Sequence, residues 1–390
     1  MKLAQDVAGR VLLLAIVQAF FATSGFSLLR PSIAAKLRYE LDAPAHLVTG
    51  FGSSLLLGRT LGSLVGGVYI VNIIRCFESI IQPLNALVIS LIIYCYSLLQ
   101  APISILILAF FQGLAAGLMW PLLQSIVAAS AGSKRATYLT LYTSLGGLGL
   151  VNGYVLYTIL GEDVSLKITV ASIFYGIASL AAFVGLILGY RNSCLSKQQR
   201  KVRIAFRDVI LVVFFSLMYG LLAGIGAEYS YLVIWEVVGL ERNLLGIIYA
   251  IARLAAAGIG LFIARLARRY SEESLILIGL TIMFLTSLIG FLDPFLAIVS
   301  LGVYVAMVSA LLGVARSYSV KLGGGQNISG ALALSNAASG IGISLMEAIS
   351  GFIYTELRSL SLEGPLLLYP AMSLLLIIVV AVCKRNHKSV

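Results

Sequence analysis

Two arginines, Arg59 and Arg253, lie inside long apolar stretches of the sequence. An arginine at the centre of a membrane-spanning helix costs about 2.5 to 3.5 kcal/mol, so each must face a polar cavity or a partner. Two guanidinium groups on one cavity would suit a carboxylate or a small inorganic oxyanion, because each donates paired hydrogen bonds to planar oxygens. The sequence leaves open the alternative that both arginines make structural or gating ion pairs.

Other polar residues inside or near the apolar stretches extend this set. We expect Gln124 and Asn152 to contribute to substrate binding. The candidates for ion coupling or gating are Arg30, Glu228, Arg316 and Glu347. Arg30 and Glu228 both lie roughly 30 Å along their helices from the inner ends, which predicts an external gate. Contact with lipid headgroups is the alternative for Arg30.

The composition indicates which elements must position these residues. Hydrophobic residues make up 60% of the 390 positions and charged residues only 11%, compared with roughly 25% charged in soluble domains. The bilayer is therefore the expected solvent of most of the chain. The net charge of +11 does not indicate a nucleic-acid partner, because the basic residues lie between apolar stretches and form no stripe. We expect no metal and no organic cofactor, since His46 and His387 lie far apart in the chain.

Breaks at charged, glycine and proline clusters predict an all-α polytopic membrane protein with twelve transmembrane helices. The first six are expected near 8–33, 46–71, 79–98, 102–128, 137–160 and 167–190, and the second six near 208–234, 243–267, 274–292, 294–318, 328–353 and 364–383. The polar stretch 191–207 contains lysines and arginines but no acid. We therefore predict two pseudo-symmetric six-helix bundles, 1–190 and 208–390, joined by a basic cytoplasmic linker.

The distribution of basic residues predicts the orientation. Most of the 27 lysines and arginines fall on segments that are cytoplasmic if both termini are inside. Short loops rich in these residues stay on the cytoplasmic side of a membrane. We therefore expect a multi-pass protein of the plasma membrane with both termini cytoplasmic. The lipid bilayer and a small-molecule substrate are its expected partners, and a monomer is expected.

The two halves are related by an internal repeat. A shift of 194 residues superimposes Arg59 on Arg253 and Gly66 on Gly260. The same shift aligns Gly52 with Gly246, Arg75 with Arg269 and Glu78 with Glu272. If the repeat axis runs along the membrane normal, the two intramembrane arginines face one central cavity.

Two six-helix halves in the same orientation, joined by a basic cytoplasmic loop, resemble the major facilitator superfamily over nearly the whole chain. The superfamily's loop signature has a glycine, an aspartate four residues on, an arginine and a Gly-Arg-Arg ending. The residues that match are Gly260, Arg265, Arg268 and Arg269 after span eight, and Gly66 and Arg75 after span two. The resemblance implies the fold and a role for these six residues in conformational switching. Ala264 and Ala267 replace the acid and the second glycine of the signature.

Spans five and eleven resemble the glycine-rich helices of the superfamily. The glycines are Gly146, Gly147, Gly149 and Gly153 in span five, and Gly340 and Gly342 in span eleven. Glycine on one helix face allows two backbones to approach closely and to rock against each other, and ordinary small-residue packing is the alternative. An arginine in each of helices two and eight also resembles the nitrate porters of the superfamily, although span eleven lacks their signature.

The leading hypothesis is a secondary transporter that moves a small organic or inorganic anion by alternating access. Protons are the expected coupling ion, through Glu228 or Glu347. The alternative is an exporter of hydrophobic or cationic compounds, in which the acids would matter more than the arginines. We do not expect an enzyme, and a repeat with intramembrane charges favours a transporter over a channel or a scaffold.

Overall fold

The computed structural model describes residues 2–65, 78–130, 135–188, 206–267, 269–323 and 328–388. These residues form helices, turns and loops, with no strand among them. The long helices of the described part are α1 (Lys2–Ala35), α2 (Ala45–Val65), α3 (Glu78–Leu98), α4 (Pro102–Ser130), α5 (Arg135–Ile159), α6 (Val164–Leu188), α7 (Phe206–Gly224), α8 (Leu245–Leu266), α9 (Glu272–Ile289), α10 (Pro294–Leu322), α11 (Ile328–Leu360) and α12 (Leu368–Lys388). The predicted all-α fold class is therefore confirmed.

Within the described residues, 10 helical segments are long and apolar enough to cross a membrane. Helix α2 is not among them, and α5 contributes only a shorter apolar stretch, Leu145–Ile159. Both helices contain many glycine, serine and threonine residues, which lower their mean hydropathy. The chain is thus an integral, multi-pass membrane protein, whereas the count of twelve spans stays a prediction for α2 and α5.

The chain forms two compact units. The first comprises Met1–Asp42 and Ser54–Gln199, and the second comprises Ala43–Ser53 and Arg200–Val390. The first half of α2 therefore belongs to the second unit, a division that the sequence did not predict. The predicted linker, 191–207, lies mostly outside the described residues, so its boundaries stay a prediction.

Contacts with α11 explain why the first half of α2 joins the second unit. Ser344 on α11 donates a hydrogen bond to the backbone carbonyl of Ser53 at 2.8 Å. The rings of His46 and Phe352 stack with their centroids 4.7 Å apart. A Cβ on Gly351 would meet backbone atoms of the first turn of α2, so the two helices touch backbone to backbone at this glycine.

In the first unit, α2 and α4 pack through glycines spaced four residues apart. A Cβ added to Gly58 or Gly62 on α2, or to Gly113 or Gly117 on α4, would meet backbone atoms of the other helix. The Ser63 hydroxyl also donates to the Gly117 carbonyl at 3.2 Å. Small residues at this spacing allow two helix backbones to approach closely in a membrane.

The glycine-rich spans make close contacts of the same kind. On α5, a Cβ at Gly149 or Gly153 would meet the backbone of α1. On α11, a Cβ at Gly342 would meet the backbone of α7 near Gly220. A Cβ at Gly147 would meet nothing within 4 Å. The predicted close approach is therefore present at three of these glycines, and Gly147 does not contribute to it.

The seventh span is interrupted where we predicted a continuous helix over 208–234. Helix α7 ends at Gly224, a short helix resumes at Glu228–Leu232, and a π-helical turn follows over Val233–Val237. The carbonyl of Ile225 accepts a hydrogen bond from the Ser230 hydroxyl at 2.5 Å, and that of Gly226 accepts one from Tyr249 at 3.1 Å. Such breaks are tolerated inside a membrane when side chains satisfy the freed backbone groups.

Candidate functional site

Arg253 lies in the middle of α8 and is directed towards α10. Its terminal nitrogen donates to the Ser309 hydroxyl at 2.6 Å. The Nε of the same guanidinium is buried and donates to no acceptor among the described residues. A buried donor without an acceptor costs about 1 to 3 kcal/mol, so this side chain is suited to an incoming acceptor.

The equivalent arginine of the first unit, Arg59, lies in the close contact between α2 and α4. Its backbone touches α4, because a Cβ on Gly113 or Gly117 would meet the Arg59 nitrogen or carbonyl oxygen. Its side chain is half-buried. The backbone at Arg59 is therefore held firmly, whereas Arg253 is held through a side-chain hydrogen bond. That the two arginines share one cavity stays a prediction.

Asn152, a predicted substrate-binding residue, bonds within the first unit. Its amide donates to the Ser24 hydroxyl on α1 at 3.2 Å. Ser24 in turn donates to the Phe20 carbonyl at 2.9 Å. The side chain of Gln124, the other predicted substrate ligand, lies outside the described part. One donor of Asn152 is thus committed to the α1–α5 contact.

Glu228 and Glu347, predicted for ion coupling, converge in the second unit. Both are fully buried, with 0% relative exposure. A Cβ on Gly52 of α2 would meet one carboxylate oxygen of each, so these oxygens lie within a few ångströms of each other. Two acidic side chains thus share one buried point of the second unit, together with the other groups that they contact.

Arg316, the remaining predicted coupling residue of the second unit, lines a small pocket between α7, α10 and α11. The pocket is bordered by Phe215, Ser216, Tyr219, Leu312, Ala315, Arg316, Ser319, Ser335, Asn336 and Ser339. Its volume is about 10 Å³, which is room for about one water molecule. No acidic residue is among these lining residues of the described chain.

Three serine hydroxyls from three helices form the base of this pocket. Ser216 of α7 donates to Ser335 of α11 at 2.9 Å, and Ser335 donates to Ser319 of α10 at 3.1 Å. Ser319 donates to the carbonyl of Ala315 at 3.0 Å. All three serines are at most 5% exposed. The hydroxyl donors are therefore used within the protein, and the pocket's free hydrogen-bonding capacity lies elsewhere.

The other predicted residues lie within α1 and around the end of α8. The Arg30 guanidinium lies 5.5 Å from the centroid of the Phe26 ring, a cation–π contact within α1. Arg265 and Arg269 are exposed, and a Cβ on Gly260 would meet nothing within 4 Å. The switching residues Gly66, Arg75 and the Arg268 side chain lie outside the described residues. A role for this motif in switching stays a prediction.

The family can now be stated from comparison with known proteins. A family model described as Major Facilitator Superfamily matches residues 12–320. The chain belongs to the Major Facilitator Superfamily. The resemblance seen in the sequence is thereby confirmed. A search of curated proteins finds no match.

Solved structures of the superfamily have the same fold as this chain. A variant of the nucleoside transporter NupG has a TM-score of 0.80 at 13% identity, covering 96% of this chain and 99% of that one. A POT family transporter in complex with a thioalcohol-conjugated peptide has a TM-score of 0.75 at 12% identity, covering 97% and 96%. A D-xylose-proton symporter has a TM-score of 0.72 at 14% identity, covering 95% and 96%. At these identities the likeness establishes the fold and not the substrate.

Sequence reasoning missed several residues of this superfamily member's candidate site. The sequence marks Gly52 only as a position of the repeat. It predicts no role for Asn336 or for the serines that bond to one another, Ser216, Ser319 and Ser335. A serine within an apolar helix is common in membrane proteins and carries no signal of its own. The Ser335-Asn336 pair, followed by Ser339 one turn later, was the one local pattern that marked a polar face on α11.

Proposed function

We propose that this protein is a secondary transporter of a small organic or inorganic anion that works by alternating access. The family and the fold are those of membrane transporters. The observation that carries the anionic substrate is the state of Arg253. It is a guanidinium inside a span, its one described hydrogen bond goes to a neutral hydroxyl, and its Nε donor is buried and unused in the described part of the chain.

An oxyanion matches these unused donors better than a cation or a hydrocarbon does. A planar carboxylate or nitrate accepts two parallel hydrogen bonds from one guanidinium. Removed from water, such a charge-assisted pair is stronger than it would be in solution. Arg59 is the repeat equivalent, and we propose that it contributes the second guanidinium to the same substrate.

We further propose that protons drive the transport through Glu228 and Glu347. The support is their full burial and the approach of their carboxylates at Gly52. A proton bound by one of two neighbouring carboxylates changes the charge at the point where three segments meet, so its binding can be linked to a change of conformation. The interrupted seventh span supports this further, because Glu228 is the first residue after the break.

Uptake by purified protein in sealed proteoliposomes tests the substrate class. The panel should contain labelled carboxylates, nitrate, a sugar, a nucleoside and a lipophilic cation, each with and without a pH gradient. We expect uptake of an anion, accelerated by the gradient. Transport of the lipophilic cation alone would instead support the exporter hypothesis.

Lysine substitutions test the arginines themselves. Arg253→Lys and Arg59→Lys keep the charge but lose the planar fork, so anion uptake should fall by about tenfold or more while the protein stays folded. Ser309→Ala is the matched control, because it removes the neutral acceptor and leaves the guanidinium in place. Normal transport by both lysine variants, or loss only through unfolding, would leave helix packing as the role of these arginines.

A further inference from the structure

The pocket of the second unit contains two side chains with unused donors. Arg316 makes no hydrogen bond or ion pair with any described residue, and the same holds for the side-chain amide of Asn336. A guanidinium carries five N–H donors and an asparagine amide carries two. Both side chains are exposed, and together they present a surplus of donors and one full positive charge.

The remaining polar groups of the pocket are hydroxyls, whose oxygens can accept hydrogen bonds but carry no charge. Ser339 donates to the backbone carbonyl of Asn336 at 3.2 Å, and Tyr219 donates to the carbonyl of Val308 at 2.5 Å. The serine hydroxyls at the base donate to one another and to a backbone carbonyl. None of the described lining residues is acidic. What the pocket lacks is a group that accepts hydrogen bonds and carries negative charge.

We propose that Arg316 and Asn336 bind the carboxylate of the transported solute at the cytoplasmic end of its path. This inference rests on the proposed function and specifies its substrate as a small carboxylate. An ionised carboxylate accepts several hydrogen bonds and donates none, which complements the donors of both residues. Phe215, Leu312 and Ala315 border the same pocket and suit a short apolar body next to the carboxylate.

The size and position of the pocket define how much of the solute it holds. With a volume of about 10 Å³, it has room for about one carboxylate oxygen in this conformation. Arg316 lies about 9 Å of helix rise before Leu322, the last residue of α10, at the end that the basic residues predict to be inside. The site is therefore distinct from the mid-membrane position of Arg253, and the solute would meet the two arginines in succession.

A competing explanation is that Arg316 extends only to the lipid headgroups. An arginine in that role needs no polar neighbours, whereas Arg316 borders a pocket with four serines and an asparagine. The two explanations predict different responses to soluble carboxylates. Only a binding site is stabilised by them through mass action.

The experiment measures thermal unfolding of the detergent-purified full chain in sodium acetate, sodium benzoate and sodium chloride at equal ionic strength. We expect one or both carboxylates to raise the midpoint by about 2 °C or more relative to chloride. Arg316→Gln should abolish the rise and Arg316→Lys should reduce it at least several-fold. Lys384→Gln, which removes one positive charge near the inner end of α12, is the matched control and should keep the full rise.

Asn336→Asp provides a second test of the site if the arginine variants fail to fold. The new carboxylate would lie in the same pocket as Arg316 and occupy it in place of the solute. We expect a variant at least as stable as the parent that no longer responds to acetate or benzoate. If carboxylates stabilise the parent and the Arg316→Gln or Asn336→Asp variant equally, the proposed site is wrong. The proposed anion transport would not be affected by that result. A parent that no carboxylate stabilises would also overturn the site, whereas the proposed function is decided separately by uptake.

Discussion

The carboxylates of Glu228 and Glu347 meet at one position of the chain, Gly52, where a Cβ would touch an oxygen of each. The first acid follows the break in the seventh span, the second belongs to α11, and the glycine belongs to α2. Three segments distant in sequence are thus joined at one polar point inside the second unit. The absence of a Cβ at Gly52 leaves room for an oxygen of each carboxylate.

Gly52→Ala should separate these carboxylates without unfolding the protein. The atoms that the new methyl group would meet are the ends of flexible side chains, which can move at little cost. We therefore expect a thermal unfolding midpoint close to that of the parent and a loss of pH-gradient-driven uptake of about tenfold. Gly258→Ala is the control, since a Cβ there meets nothing within 4 Å. Unaltered gradient-driven uptake by Gly52→Ala would contradict a coupling role for the pair.

Gly117→Ala should destabilise the first unit. Its Cβ would meet backbone atoms of Arg59 and Ser63, and a helix backbone cannot yield as a side chain can. We expect a loss of about 1 to 3 kcal/mol, typical of overpacking, measured as a lower unfolding midpoint. Gly258→Ala again serves as the control, because alanine in an open helical position is neutral or favourable. Equal midpoints for the two variants would show that α2 and α4 can separate freely.

Exchange of the charges of Arg30 and Glu228 tests the predicted external gate. The sequence predicts that the two residues form an ion pair, and such a pair should tolerate reversal of both charges better than loss of one partner. We expect the double variant Arg30→Glu with Glu228→Arg to retain more uptake than Arg30→Gln or Glu228→Gln alone. The readout is uptake normalised to folded protein in proteoliposomes. An equal loss in all three variants would count against a specific pair.

The orientation predicted from the basic residues can be tested by reporter fusions. Fusions after Arg203 and at Lys388 should both report the cytoplasm, because short basic segments stay inside. A paired fusion after Asp163, between α5 and α6, should report the outside and serves as the control. If either basic site reports the outside, the twelve-span topology is wrong, and so is the assignment of Arg316 to the cytoplasmic end.

Much of the architecture could be predicted because hydropathy and charge are properties of continuous segments. A run of apolar residues specifies a helix in a bilayer wherever the run occurs, since the backbone must satisfy its own hydrogen bonds. The superfamily, the all-α class and the close approach at Gly149 and Gly153 all followed from such local patterns. The break after Gly224 did not, because the hydroxyls that stabilise it belong to Ser230 and Tyr249, and the latter lies on another helix.

What the sequence by itself determined is therefore the class of the protein: its helices, its membrane setting and the presence of intramembrane arginines that need a partner. Only the tertiary structure decided which groups those arginines meet. Arg253 bonds to Ser309, and Arg316 shares a pocket with Asn336, through contacts between different helices. The polar atoms that come together are determined by how the helices cross and by the glycines that permit their close approach. No single segment of the sequence contains that information.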